Sequence, residues 1–202
     1  AFGGAEMVDL QGYLRARTVE AMSAWAEEDI YAISFFIYAN EAYEYGGYTN
    51  LPHFSISYRT EHDLGGADAL SEKRWNYAFW PQDETPIIDT ADEESMKVLL
   101  AWYGKNGIEH LGHEDPASCY DDEMRYIGKG PGGYAELLAQ ITAVAADLQT
   151  GGFIRKKFGR PIPIIIHDYE YSWYTVEATK TANANGEADT FLAAMKRLGL
   201  IE

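Results

Sequence analysis

Cysteine is almost missing from this sequence. Cys119 is the only one among 202 residues, so no disulfide can close within the chain, which fits a reducing cytoplasm. Basic residues are scarce as well: 16 Lys and Arg stand against 32 Asp and Glu, a formal net charge of −16. A field that acidic repels phosphate backbones, so nucleic acid is not expected as a direct partner. It suits a basic protein surface, a cationic ligand or divalent cations; in the plainest case it only keeps the protein soluble. No apolar run approaches the roughly 20 residues of a membrane helix, so no membrane partner is expected. The first seven residues, Ala-Phe-Gly-Gly-Ala-Glu-Met, lack the basic start and long apolar core of a signal peptide. Together these readings predict a cytoplasmic protein. No internal repeat, low-complexity tract, domain linker or cofactor fingerprint is found, and no cofactor is assigned.

What is present is a chain built to fold. Hydrophobic residues reach 47% and aromatics 14%, too many for a disordered segment. Ile30–Tyr38, Ile-Tyr-Ala-Ile-Ser-Phe-Phe-Ile-Tyr, is nearly continuously apolar, β-branched and aromatic. It reads as a strand buried on both faces at the middle of a sheet. Phe54–Tyr58 alternates strictly, as a strand with one buried face and one wet or loosely covered face does. Trp75–Trp80 alternates large and smaller groups before Pro81 and reads as a third strand, completing an antiparallel meander. Pro163–His167 is a short interior strand by composition.

Apolar spacing places helices at Asp9–Glu28, Asp89–Asn106, Tyr134–Gln149 and Asp189–Leu198, with Asp9, either Thr90 or Asp92, and Asp189 as N-caps. The acidic Glu27-Glu28-Asp29 at the end of the first of these runs against the helix dipole. The expected fold is therefore α+β. A mixed, largely antiparallel sheet of four or more strands packs with about four helices in one domain over 1–202. Residues 108–133 form an irregular loop insertion within it.

Four groups of residues are candidates for chemistry. His167-Asp168 ends the last apolar strand, and strand ends are where sites gather. If that strand runs parallel to the central one, the pair would approach Asn40 and Glu41 and could act as acid and base. The alternative is local hydrogen bonding by His167 and a turn at Asp168. Glu61-His62-Asp63 follows the second strand in the same manner. His110, His113 and Asp115 have the residue types of a zinc site, but Gly112 and Pro116 prevent a helix from presenting them together. Gly128-Lys-Gly-Pro-Gly-Gly133 before a helix has the ingredients of an anion cradle, or of a plain loop-to-helix entry.

The aromatic residues carry more. Tyr43, Tyr45 and Tyr48 lie beside Glu41 and Glu44, and Tyr169, Tyr171 and Trp173 flank Glu170. Aromatic rings mixed with acids suit the surface of a basic protein partner.

One resemblance follows. A leading helix, Asp29-Ile-Tyr-Ala-Ile-Ser-Phe-Phe36, Arg74-Trp-Asn-Tyr-Ala-Phe-Trp80 and a late strand ending His167-Asp168 occur here in that order. This resembles a family of bacterial domains of unknown function, some members of which look like immunity proteins of polymorphic toxin systems. The match is one of segment order over about three quarters of the chain. It implies a cytoplasmic α+β protein that binds a basic partner such as a toxin, and it brings no catalytic residues. A hydrolase using His167 and Asp168, or a metal at His110, His113 and Asp115, is the alternative expectation.

Overall fold

The apolar stretch from Ile30 forms the strand its composition demands. In the computed structural model, which describes residues 9–201, β1 (Ile30–Ala39) is an interior strand with its first eight residues buried. The signal-peptide reading of residues 1–7 lies outside the described residues. Antiparallel to β1 runs β4 (Pro52–Thr60), from the Ile30–Thr60 pair to the Ala39–Pro52 pair. On its other side β6 (Ile164–His167) runs parallel. β5 (Thr85–Ile88) completes the order β5-β4-β1-β6. A separate two-stranded ribbon, β2 (Glu44–Tyr45) with β3 (Tyr48–Thr49), tips the connection from β1 to β4. The fold is α+β with a mixed sheet.

Helices cover one face. α1 (Leu10–Ser23) is capped by Asp9 and buries Leu10, Leu14, Thr18 and Met22, one row of i, i+4 positions. It ends at Ser23, so Glu27, Glu28 and Asp29 lie beyond it and do not oppose its dipole. The periodic pattern runs on because Trp25 leaves the helix to pack its ring 4.7 Å from that of Tyr58. The chain then forms α2 (Glu61–Leu64), α3 (Glu72–Trp75), α4 (Glu93–Lys105), α5 (Pro116–Cys119), α6 (Tyr134–Thr150), α7 (Phe153–Phe158), α8 (Trp173–Ala182) and α9 (Asp189–Arg197). The side chains of Ile33, Phe35 and Ile37 from β1, Phe54 and Ile56 from β4, and Ile164 and Ile166 from β6 form one core with α1, α4, α6 and α8. Each fully buried Ile or Phe contributes about 1.5–3 kcal/mol.

The opposite face differs from the expectation in two ways. Trp75–Trp80 is not a strand: α3 ends at Trp75, and a 3-10 turn, Tyr77–Phe79, follows after Asn76 caps Ala78 N–H. The meander exists, but its third strand is Thr85–Ile88. Pro86 is tolerated there because β5 is an edge strand with one side free of ladder bonds. Nor is the serine face of β4 wet or loosely covered: Ser55, Ser57 and Arg59 are buried. Trp75, Tyr77 and Trp80 cover this face together with Ala32 and Phe36 of β1, Ile165 of β6, and Phe191 and Met195 of α9. Alternation in β4 therefore separates an apolar from a polar layer, both interior.

Candidate functional site

Ala32, Ser34, Phe36 and Tyr38 of β1 and His53, Ser55, Ser57 and Arg59 of β4 share the polar face, because side chains alternate along a strand beyond the register shift at Ile30–Ala32. Pairing sets Ser34 beside Ser57, Phe36 beside Ser55 and Tyr38 beside His53. Parallel pairing sets His167 beside Phe36, four residues short of Asn40, so His167 does not approach Asn40 or Glu41 along the ladder. Its ring is fully buried, with Nε2 2.7 Å from Ser34 Oγ and Nδ1 2.9 Å from the carbonyl oxygen of Asp168. Burial first, with the positive Arg59 adding to it, holds the imidazole down at about 4, so it is neutral at pH 7.

Asp168 belongs to the other face. Its carboxylate accepts hydrogen bonds from Tyr134 O–H at 2.6 Å and from Tyr169 N–H at 2.6 Å. Burial raises its pKa, against these two hydrogen bonds. The two side chains that could have formed an acid/base pair thus make separate attachments, one to Ser34 and one to Tyr134. Adjacent strand residues point to opposite faces, and that alternation dissolves the pair.

The other polar clusters are placed in turns and short helices. His110 and His113 are both exposed and share a turn, His113 N–H donating to His110 O at 3.0 Å. Asp115 caps α5 through Ala117 N–H. Among the described residues no group of three His, Cys, Asp or Glu side chains is placed to hold a metal. His62 is an exposed residue of α2, and Asp63 accepts from Thr60 Oγ1. Three N–H groups of the glycine loop are used within the protein: Gly128 N–H donates to Cys119 O, Gly130 N–H to Tyr126 Oη and Gly132 N–H to His113 O. Lys129 turns instead over the Trp173 ring, 5.3 Å from its centroid. Cys119 is buried, its thiol donating to Asp115 O.

The aromatic candidates divide. Tyr45 is half-buried against the helical core, and Tyr171 is held by a hydrogen bond from its hydroxyl to Trp75 O. Tyr43, Tyr48, Tyr169 and Trp173 are 42–54% exposed, too open to be core residues. Glu41, Glu44 and Glu170 are exposed beside them.

Two of these rings from distant stretches are linked through two others. Tyr43 packs 5.1 Å from His53, His53 packs 5.0 Å from Tyr38, and Tyr38 packs 5.5 Å from Tyr169. Phe36 closes the set from beneath, stacked on Tyr38 at 4.6 Å and edge-on to Tyr169 at 5.1 Å. The end of β1, the start of β4, the β1–β4 connection and the exit of β6 thereby converge on one aromatic patch.

His53, Glu84 and Asp89 were not visible as members of this patch. Phe54 pairs with Ile88, and one step further the antiparallel ladder sets Asp89 alongside His53. Glu84 accepts from Tyr77 O–H at 2.9 Å. Burial first, then Asp89 and Glu84 among its neighbours, pushes the Tyr38 phenol up to about 12. Only the register of three strands brings these residues together; no spacing in the sequence encodes it.

Comparison with family models, with characterised proteins and with solved structures returns no match to this chain.

Proposed function

We propose that this protein is a binding module that captures a basic protein through its aromatic and acidic face. One observation carries the reading. Tyr43 and Tyr169, from segments more than a hundred residues apart in the sequence, are held in one ring network while remaining about half exposed. A ring network with its outer members open to water has unspent apolar area, and tyrosine offers that area at low entropy cost. Exposed Glu41, Glu44 and Glu170 flank it, within a chain of net charge −16. Such a field steers a basic partner to the patch and speeds its association.

The resemblance to immunity proteins agrees with this and suggests a basic toxin as the partner, bound and occluded. The hydrolase reading lacks comparable support, since His167 and Asp168 are turned to different faces.

The test is affinity capture from native lysate, followed by binding measurements on whatever basic protein is recovered. Affinity is expected to fall steeply with added salt. It should also drop at least about tenfold in the Glu41→Lys/Glu44→Lys/Glu170→Lys variant, chiefly through slower association. Binding that ignores both salt and charge reversal rules out this face as the interface.

A further inference from the structure

We infer that the patch contains a subsite for a single arginine side chain of the partner, formed by Tyr38, Tyr43 and Tyr169 with the carboxylates of Glu84 and Asp89 and backed by His53. The inference rests on the binding reading above and names the group that reading would capture.

Three observations lead to it. First, two carboxylates reach the edge of the ring network: Glu84 accepts from the Tyr77 hydroxyl, whose ring lies 6.4 Å from that of Tyr169, and Asp89 follows Ile88, the ladder partner of Phe54, next to His53; both push the Tyr38 phenol up, after burial. Among the described residues no Lys or Arg forms an ion pair with Glu84 or Asp89. Glu84 has only the Tyr77 hydroxyl as a side-chain partner, and Asp89 uses Oδ1 alone, for Ala91 N–H at 2.7 Å. Two carboxylates are thus left with acceptor capacity beside tyrosine rings.

Second, His53 is 1% exposed, and neither ring nitrogen has a hydrogen-bond partner. An imidazole buried with both nitrogens unmet is costly, and such a group calls for an explanation. The ring lies between Tyr38 and Tyr43, and the negative charge of Asp89 acts on it. A ligand N–H entering beside Tyr43 would supply a partner for the ring nitrogen that carries no proton.

Third, the cover is lightly held. Tyr43 sits in the β1–β4 connection, 45% exposed, with its N–H donated to Asn40 O at 3.2 Å. Its ring packs on His53 from a position outside every strand, which is the side from which a ligand would enter.

Guanidinium answers all three. It stacks on tyrosine faces, is attracted by their π-charge, and directs several N–H donors at carboxylates and at a neutral imidazole nitrogen. A lysine ammonium supplies the charge without the planar stacking.

The experiment is an NMR titration of the full chain with Nα-acetyl-arginine amide, reading the ring signals of Tyr38, Tyr43, Tyr169 and His53. Nα-acetyl-citrulline amide is the uncharged isostere, and Nα-acetyl-lysine amide the cation without the plane. Saturable shifts on all four rings with the arginine probe are expected, with binding about tenfold weaker for citrulline and for the Glu84→Gln/Asp89→Asn variant. Both amides keep an oxygen where Tyr77 O–H and Ala91 N–H donate, and an unchanged melting curve verifies the fold. Equal shifts with citrulline, binding undiminished in the variant, or no saturation overturns the subsite. Lysine binding as well as arginine overturns the choice of guanidinium.

The two readings fail separately. A basic protein captured by the wild type and held equally by Glu84→Gln/Asp89→Asn removes the subsite and leaves the binding face standing on Glu41, Glu44 and Glu170. Loss of capture in the Glu41, Glu44 and Glu170 charge reversal, with no response of the four rings to arginine, points the same way.

Discussion

The imidazole of His167 meets the hydroxyl of Ser34 across the parallel pair of strands, 2.7 Å apart and out of reach of water. Because the ring is interior and neutral, it makes stability depend on pH. Its folded pKa of about 4 lies below the ordinary 6.5, so between these values the unfolded chain binds more protons than the folded one. The contribution is fully present above pH 6.5, declines as pH falls, and is gone below about pH 4. It amounts to roughly 3 kcal/mol at neutral pH. His53, also pushed down by burial, acts in the same direction. Urea denaturation at a series of pH values should show this limb, and His167→Gln, which keeps a side-chain partner for Ser34, should flatten most of it. An NMR titration placing His167 near 6.5 would rule out this account.

The central strand was legible in advance because nothing in Ile30–Tyr38 can face water. An apolar, β-branched run admits few other homes. The helix stripe of Leu137, Ile141, Val144 and Leu148 was legible for the same reason, and all four are buried in α6. Trp75–Trp80 was not, since alternation in bulk resembles a strand. Yet its rings are spread by a helical turn, a cap at Asn76 and a 3-10 turn over a buried serine layer. That layer also hid the burial of Ser55 and Ser57, because a serine under an aromatic lid looks like a serine in water. The patch was half legible: Tyr43 and Tyr169 stood out by composition, while His53, Glu84 and Asp89 join it only through strand register.

Arg59 fixes the aromatic lid to the sheet. Its guanidinium donates to Ser57 Oγ, to the carbonyl oxygens of Tyr58 and Pro81, and to Asp83 Oδ1, and it lies 5.3 Å from the Trp80 ring. An ammonium cannot reach this set at once. Arg59→Lys is therefore expected to cost about 2–4 kcal/mol in chemical denaturation, with faster hydrogen exchange at Trp80. Asp83 is 56% exposed, so Asp83→Asn should cost less than about 1 kcal/mol. Equal losses from the two substitutions would mean that the ion pair, and not the buried donor set, holds the lid.

Gly112 sets how closely the 108–133 segment approaches the ribbon. A Cβ at this position would lie 1.9 Å from Thr49 O, and its φ of +74° is unfavourable for any other residue. Asn50 Nδ2 donates to Gly112 O at 3.2 Å across the same contact. Gly112→Ala should separate the two loops and destabilise the protein by more than about 1 kcal/mol. Faster exchange at Thr49 and Asn50 and a changed Tyr43 ring environment are expected. Wild-type stability and exchange in Gly112→Ala would show that the approach is dispensable.

Asp168 is a partly buried charge that the fold carries at a cost. Burial holds its pKa above the usual 3.8, despite hydrogen bonds from Tyr134 O–H and Tyr169 N–H. A raised carboxyl pKa means the folded chain binds more protons, so this group's contribution falls as pH rises through that interval. Asp168→Asn keeps an acceptor oxygen for both donors and removes the charge. It should make the protein more stable at pH 7, with the gain shrinking as pH falls toward 3.8, where the wild-type group becomes neutral too. Tyr134→Phe, by contrast, withdraws a donor from a charge left in place and should cost about 1–3 kcal/mol at pH 7. Paired denaturation curves at pH 7 and pH 4 decide the matter. A stability loss in Asp168→Asn at pH 7 that shrinks at pH 4 would mean that the charge is favourable where it sits, and that the charged Tyr134–Asp168 contact holds the β6 exit in place.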